Sequence, residues 1–258
     1  MPRLKPSLTS FVVLLVALPA MAGELTREAV RDSLACATSN QPADFSGQSL
    51  EKLDLSGLNF AGANLAGADL FGAKLVDADF TGANLSGANL NLSWVIHANF
   101  TRANLANASL QGLIVSMGLE TSAAQAPILA GANLSGAHIT ARFNYSDARG
   151  ANFTRASMGA DIRNQSMGLM RADLSGARLD GANFSGADLS RALMRFAKLR
   201  GANFSGANLQ LTDLSGADLS GADLTGANVT GADFGGVVLS GAKGLDKMTG
   251  RPINAPTP

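Results

Sequence analysis

The chain has 258 residues, with 20 Lys and Arg against 20 Asp and Glu, two His, one Cys, 29 Gly and 5% aromatics. Zero formal charge argues against a nucleic-acid binder, a single Cys excludes an internal disulfide framework, and two His with one Cys cannot build a structural zinc cage. The 46% apolar share leans on Ala, with Leu and Phe at fixed positions, which is the composition of a repeat and not of one irregular core.

Residues 1–22 read as a cleavable signal peptide. Arg3 and Lys5 precede an apolar run from Phe11 to Leu18, and Ala20-Met21-Ala22 offers the small-x-small pattern of a cleavage site after Ala22. The run is shorter than the roughly 20 residues of a bilayer-spanning helix, so no membrane span is expected in the mature form. Cleavage removes two basic residues and no acid, leaving 18 against 20 and a net charge of −2. A periplasmic or secreted location follows as an expectation.

Residues 23–40 are expected to form a capping helix and linker. Thr26 is placed to cap a helix over 26–36, with Leu25 stapled against Val30. Cys36 reads as a buried or half-buried free thiol.

From residue 41 to 244 the chain repeats every five positions: a small residue, then Asn or Asp, then Leu or Phe. One register runs from Phe45 through Leu50 and Leu55 to Leu110 and Val115, and a second from Leu169 through Leu174 to Phe234 and Leu239. Between them Phe143, Phe153 and Met158 hold another phase and Ile162 a third. Segment 116–128 lacks the pattern and is expected to bulge as a loop; 158–168 is expected to be an irregular coil.

Neither 3.6 nor 2.0 residues per repeat puts every fifth residue on one face. A coil with four short sides does. Each central Leu or Phe then points inward with the Ala two residues before it, Asn or Asp and the Ser/Thr-Gly pair face water, and successive coils pair in parallel about 4.8 Å apart. Gly suits the tight corner. Beyond Leu239 the register fails, and 245–258 reads as a frayed C-terminal tail.

The tracts AGANLAGADL (61–70) and SGADLSGADLTGANVTGAD (215–233) resemble the pentapeptide-repeat protein family. The resemblance covers roughly residues 43–242 and implies an all-β fold, a right-handed quadrilateral parallel β-helix. Some members of that family resemble duplex DNA in size and negative charge and inhibit or protect DNA gyrase, so a DNA-mimic role is one alternative. A β-helical enzyme or binder acting on envelope polysaccharide is a second. Export and a basic middle speak against the first; for the second, no paired carboxylates stand out from the repeat.

No catalytic, metal or cofactor residue is assigned. Asp213 and Asp233 are twenty apart and stack, yet two carboxylates make a thin cation site. His97 and His138 lie on either side of the unpatterned loop and read as solvated or structural.

Two departures from the repeat are more informative. Outward positions turn apolar at Phe71, Val76, Leu92, Trp94, Ile96, Ile114 and Met117, a candidate interaction patch on two adjoining sides, to be covered either by loop 116–128 or by a partner. Residues 142–200 hold ten basic residues against five Asp, and Arg171, Arg178, Arg191, Arg195, Lys198 and Arg200 form a candidate anion or partner patch in which Arg171 stacks with Arg191 and Arg178 with Lys198. The expected task is that of a non-enzymatic periplasmic scaffold for a protein partner or for a second copy, with no cofactor and no nucleic acid.

Overall fold

A computed structural model describes residues 25–118, 122–160 and 171–255. Residues 1–22, Ile162, Arg163 and Leu169 lie outside these, as does most of the irregular coil expected over 158–168.

The described chain winds into a four-sided solenoid. Side 1 is centred on Phe45, Leu65, Leu85, Leu105, Leu134, Phe153, Phe184, Phe204 and Leu224, all buried. Sides 2, 3 and 4 follow at five-residue steps, from Leu50, Leu55 and Phe60 respectively. Leu65, Leu70, Leu75 and Phe80 belong to one continuous core, together with the Ala two residues before each of them. The inside is therefore filled from all four sides at once, which neither a single helix nor a flat strand does.

The coils are joined by parallel backbone pairing. The residue just before each centre pairs with its counterpart one coil later: Asp44 with Asn64, Ser49 with Asp69, Asp54 with Lys74 and Asn59 with Asp79. On side 1 this continues from Asp44 to Lys243, nine steps that span about 43 Å at strand spacing. Parallel crossovers of this kind are right-handed, as the twist of L-residue strands requires. Most sides are too short for more than one bridging residue. Among the described residues only β1 (Ser109–Gln111) and β2 (His138–Thr140) extend to three pairs.

Corners are made two residues after each centre, where the backbone turns left-handed: φ is +66° at Gly82 and +64° at Gly206. Non-glycine residues stand at some of these corners, among them Leu92 (φ 59°), His97 (56°), Tyr145 (62°) and Phe196 (55°). Several of them have a glycine one coil on, whose missing side chain leaves room for theirs: a Cβ on Gly176 would meet the Tyr145 ring at 2.7 Å, and one on Gly216 the Phe196 ring at 2.5 Å.

Phenylalanines stack face to face inside. Phe60, Phe80 and Phe100 follow one another on side 4 with centroids 4.9 and 5.0 Å apart, and Phe153, Phe184 and Phe204 do so on side 1 at 4.8 and 5.0 Å. Coil spacing alone imposes this distance.

The first coil is closed by α1 (Arg27–Cys36). Thr26 is the N-cap, its hydroxyl accepting from the Ala29 amide at 3.2 Å. Val30 is fully buried, with Leu25, Leu34 and Ala37 packed at the edge of the core. Arg27 donates to the Ser56 carbonyl at 2.8 Å and to Asp54, tying the helix to the first coil. Cys36 is exposed, contrary to the buried or half-buried thiol expected. It sits six residues after Val30 and so points away from the core-facing stripe.

The irregular middle keeps its register by changing the length of single sides. From Val115 to Leu129 the chain takes fourteen residues where five suffice, yet Ile128 still pairs with Asn99. From Ile139 to Phe143 it takes four, and Ala148 then fills a side 4 centre, which accounts for the shifted phase of Phe143, Phe153 and Met158. From Met158 to Leu174 it takes sixteen, and Asp173 pairs with Arg142.

The C-terminal end is also more ordered than a frayed tail. A 3-10 turn at Leu245–Lys247 absorbs one extra residue, after which Thr249 pairs with Asn228 and Ile253 with Asp233. Backbone pairing thus outlasts the side-chain pattern, because it needs no particular side chain.

Candidate interaction face

The outward residue before each centre is where sides differ. On side 1 these positions are Asp or Asn from Asp44 to Asp223, and their side chains are mostly half-buried, not simply bathed in water. From Asn64 to Asn152 each amide bonds its counterpart one coil before: Asn64 donates to Asp44 at 2.9 Å, Asn84 to Asn64 at 3.1 Å, Asn104 to Asn84 at 3.1 Å, Asn133 to Asn104 at 2.9 Å and Asn152 to Asn133 at 3.0 Å. Each Oδ1 also accepts from the backbone amide two residues on, as Asn84 does from Ser86 at 3.3 Å, which fixes the start of the corner.

Side 3 carries no such ladder. Its outward residues run Asp54, Lys74, Trp94, Ile114 and then Arg142, Asp173, Leu193, Asp213, Asp233 and Ile253. Trp94 and Ile114 are direct neighbours in adjacent coils. Phe71 and Leu92 stand at the corner between sides 2 and 3; Val76, Ile96 and Met117 stand at the corner between sides 3 and 4 or just past it. The seven candidate residues thus surround one side and its two corners, where two adjoining sides were expected.

Their exposure divides the two expected covers. Ile96 is only 2% exposed, because the returning end of the insertion lies over it: Ala126 and Pro127 are buried, and the Gln125 carbonyl accepts from the His97 amide at 3.0 Å. Ile96 therefore leaves the candidate patch and belongs to the loop's own packing. Phe71, Val76, Trp94 and Ile114 are half-buried, whereas Leu92 is 47% and Met117 75% exposed.

The six candidate cations do not form one patch. Arg178 and Lys198 pair on side 4, and Arg200 stands at the corner between sides 4 and 1. Arg191 and Arg195 flank side 3 at opposite corners. Arg171 and Arg191 each lie two residues before the paired Asp173 and Leu193. Acids are interleaved with these cations: Arg195 meets Asp213 at 2.6 Å, Arg200 meets Asp218 at 2.6 Å, and Arg178 approaches Asp147, itself bound to Arg149 at 2.6 Å. The Asp147 carboxyl is held below its ordinary range chiefly by Arg149. Burial pushes Asp213 up, but hydrogen bonds from Ser215 and Arg195 outweigh it and the net shift is downward. Asp218 is lowered to about 2 by the Ser220 hydroxyl and by Arg200.

His97 and His138 stay apart. His97 sits at the corner after Val95 with its Nδ1 3.0 Å from Asp77, while His138 is exposed on side 2 between Ser109 and Ser157. Asp213 and Asp233 pair as expected from their spacing, but Asp213 is engaged by Arg195 and Ser215, and Asp233 by Asn254 at 3.0 Å. Among the described residues no three His, Cys, Asp or Glu side chains gather as a metal site, and no helix is long and apolar enough to cross a membrane.

What the geometry defines is a β-helical solenoid with a uniform interior, two regular polar outer sides and two irregular ones. A family model for pentapeptide repeats, in eight copies, matches residues 43–75, 63–101, 84–115, 169–206 and 202–241, together more than half of the chain. The chain belongs to the pentapeptide-repeat family. Among solved structures, HetL, a pentapeptide repeat protein involved in heterocyst differentiation regulation from the cyanobacterium Nostoc sp. strain PCC 7120, is 26% identical over 86% of this chain and 94% of its own, with a TM-score of 0.47. QnrB1, a plasmid-mediated fluoroquinolone resistance protein, is 24% identical over 77% of this chain and 92% of its own, also with a TM-score of 0.47. A thylakoid-lumen pentapeptide repeat protein of Arabidopsis thaliana is 36% identical over 43% of this chain and 67% of its own, with a TM-score of 0.21. No curated protein matches the chain.

Proposed function

We propose that the protein is a non-enzymatic scaffold that works outside the cytoplasm, carried there by residues 1–22, and that it holds a protein partner on side 3. The observation that carries this is Trp94, half-buried beside Ile114 and Leu92, whereas the outward positions of the neighbouring side 2 are all polar. Apolar aromatic positions on a rigid surface are the usual anchors of protein association. The interleaved acids and bases of sides 3 and 4 do not favour mimicry of a uniformly anionic duplex.

A photo-crosslinking residue placed at position 94, and in parallel at position 84 on side 1, tests the site in the native cell. A protein adduct is expected from position 94 alone. Equal labelling from both positions, or labelling from position 84 only, would overturn the assignment. N-terminal sequencing of the mature chain is expected to begin at Gly23; an intact Met1 on protein recovered from the cytoplasm would refute export.

A further inference from the structure

We propose, building on the reading that side 3 binds a protein, that this side is one continuous docking strip. Its occupant is an elongated protein segment with apolar groups at two points about 19 Å apart and acidic residues between them.

Every aromatic side chain that is not buried among the described residues lies on side 3 or at its corners: Phe71, Trp94, Tyr145 and Phe196. The large exposed apolar residues lean the same way: among the described residues six of nine lie on side 3 or at its corners, Leu92 and Leu211 between sides 2 and 3, Met117, Tyr145 and Phe196 between sides 3 and 4, and Ile253 on side 3 itself, while Ile128 and Val238 stand on side 4 and Leu245 near the C-terminal end. The outward positions of sides 1 and 2 hold Asn, Asp, Ser, Thr and His, apart from the terminal Lys243.

Most of the exposed or half-buried apolar groups of this side gather in two clusters, with Tyr145 at the corner between them. The first is Leu92, Trp94 and Ile114. The second is Leu193, Phe196 and Leu211, four coils further along the axis, hence the separation of about 19 Å at strand spacing. Between the clusters the strip is cationic: Arg142 is exposed on side 3 itself, Arg171 and Arg191 border it, and among the described residues Asp173 is the one acid on those steps. An occupant lying across both clusters meets this charge in its middle, and acidic groups there complement it.

Aliphatic Leu and Ile mixed with Trp, Tyr, Phe and Arg fit a protein surface better than a polysaccharide, which would stack on the rings and gain little from the rest.

A displayed library of random 16-residue peptides, panned against the full chain, tests the strip. About 13 residues of helix span 19 Å, so the length is sufficient. Enriched peptides are expected to carry two apolar groups flanking Asp or Glu, and to bind about tenfold more weakly to each of Trp94→Ala, Phe196→Ala and Arg142→Glu, all three retaining the wild-type melting profile within a few degrees. Trp94 is the sole tryptophan, so its emission reports binding of Trp-free peptides directly. Peptides sensitive to Trp94→Ala but indifferent to Phe196→Ala and Arg142→Glu would overturn the strip and leave the interaction site standing. Peptides indifferent to all three would overturn both. No enrichment, binding of linear glycans instead, or a concentration-dependent dimer abolished by Trp94→Ala would also overturn the proposed occupant.

Discussion

Sides 1 and 3 share one interior and have opposite exteriors. Both bury Leu, Phe or a similar group at each step, and both hang from the same backbone pairing. Outside, side 1 repeats Asn so that from Asn64 to Asn152 each amide bonds its counterpart one coil before, while side 3 places Lys, Trp, Ile, Arg, Asp and Leu in succession. The difference teaches that the solenoid constrains its surface very little. Side 1 uses that freedom for stability, through a bonded ladder, and side 3 spends none of its outer positions that way.

If the interior is equivalent, truncation should cost the same beneath either exterior. Phe184→Ala on side 1 and Phe143→Ala on side 3 are each expected to lose about 3–5 kcal/mol in chemical denaturation; a markedly cheaper Phe143→Ala would show that side 3 is loosely packed within. The corners should separate next. Gly206→Ala, with nothing within 4 Å of the new Cβ, is expected to lose about 1–2 kcal/mol through its left-handed backbone alone. Gly216→Ala should lose more because Phe196 occupies the space, and adding Phe196→Ala should bring it back to the Gly206→Ala value.

The exteriors themselves should differ by less. Asn84→Ala removes bonds to Asn64, Asn104 and Ser86 and is expected to lose about 1 kcal/mol, whereas Lys74→Ala on side 3 should stay within about 0.5 kcal/mol of wild type. A further effect is one of pH. Asp218 titrates at about 2 in the folded chain, below the value of about 3.9 of an unfolded Asp. Its contribution is therefore complete above that unfolded value and fades as pH falls through about 2. Urea titrations at pH 5 and pH 2.5 should show a smaller acid loss for Asp218→Asn than for wild type; an identical loss would remove Asp218 from the account.

The architecture was legible because Leu and Phe at every fifth position leave no other regular solution. Thr26 was equally readable as a cap, since its hydroxyl, the following acidic turn and Val30 are all local signals. What escaped was anything set by pairing alone. Thr249 and Ile253 bridge to Asn228 and Asp233 without the repeat's lettering, and Ala148 fills a centre normally held by Leu or Phe. At the candidate site, stacking of Trp94 on Ile114 followed from twenty-residue spacing. Burial of Ile96 did not, because it depends on where an unpatterned loop returns. Nor did the second apolar cluster: Phe196 and Leu211 hold outward corner positions like that of Leu92, but that they share its side depends on the altered lengths of the connections between them.

Because every coil is joined to the next by hydrogen bonds that run along the axis, the molecule is mechanically anisotropic. Tension on its two ends would load those bonds one turn at a time, so that it unpeels like thread from a spool at modest force. A load applied across the axis would instead press on the whole stack of rings and methyl groups together. A body of this kind resists crushing while tolerating being unwound.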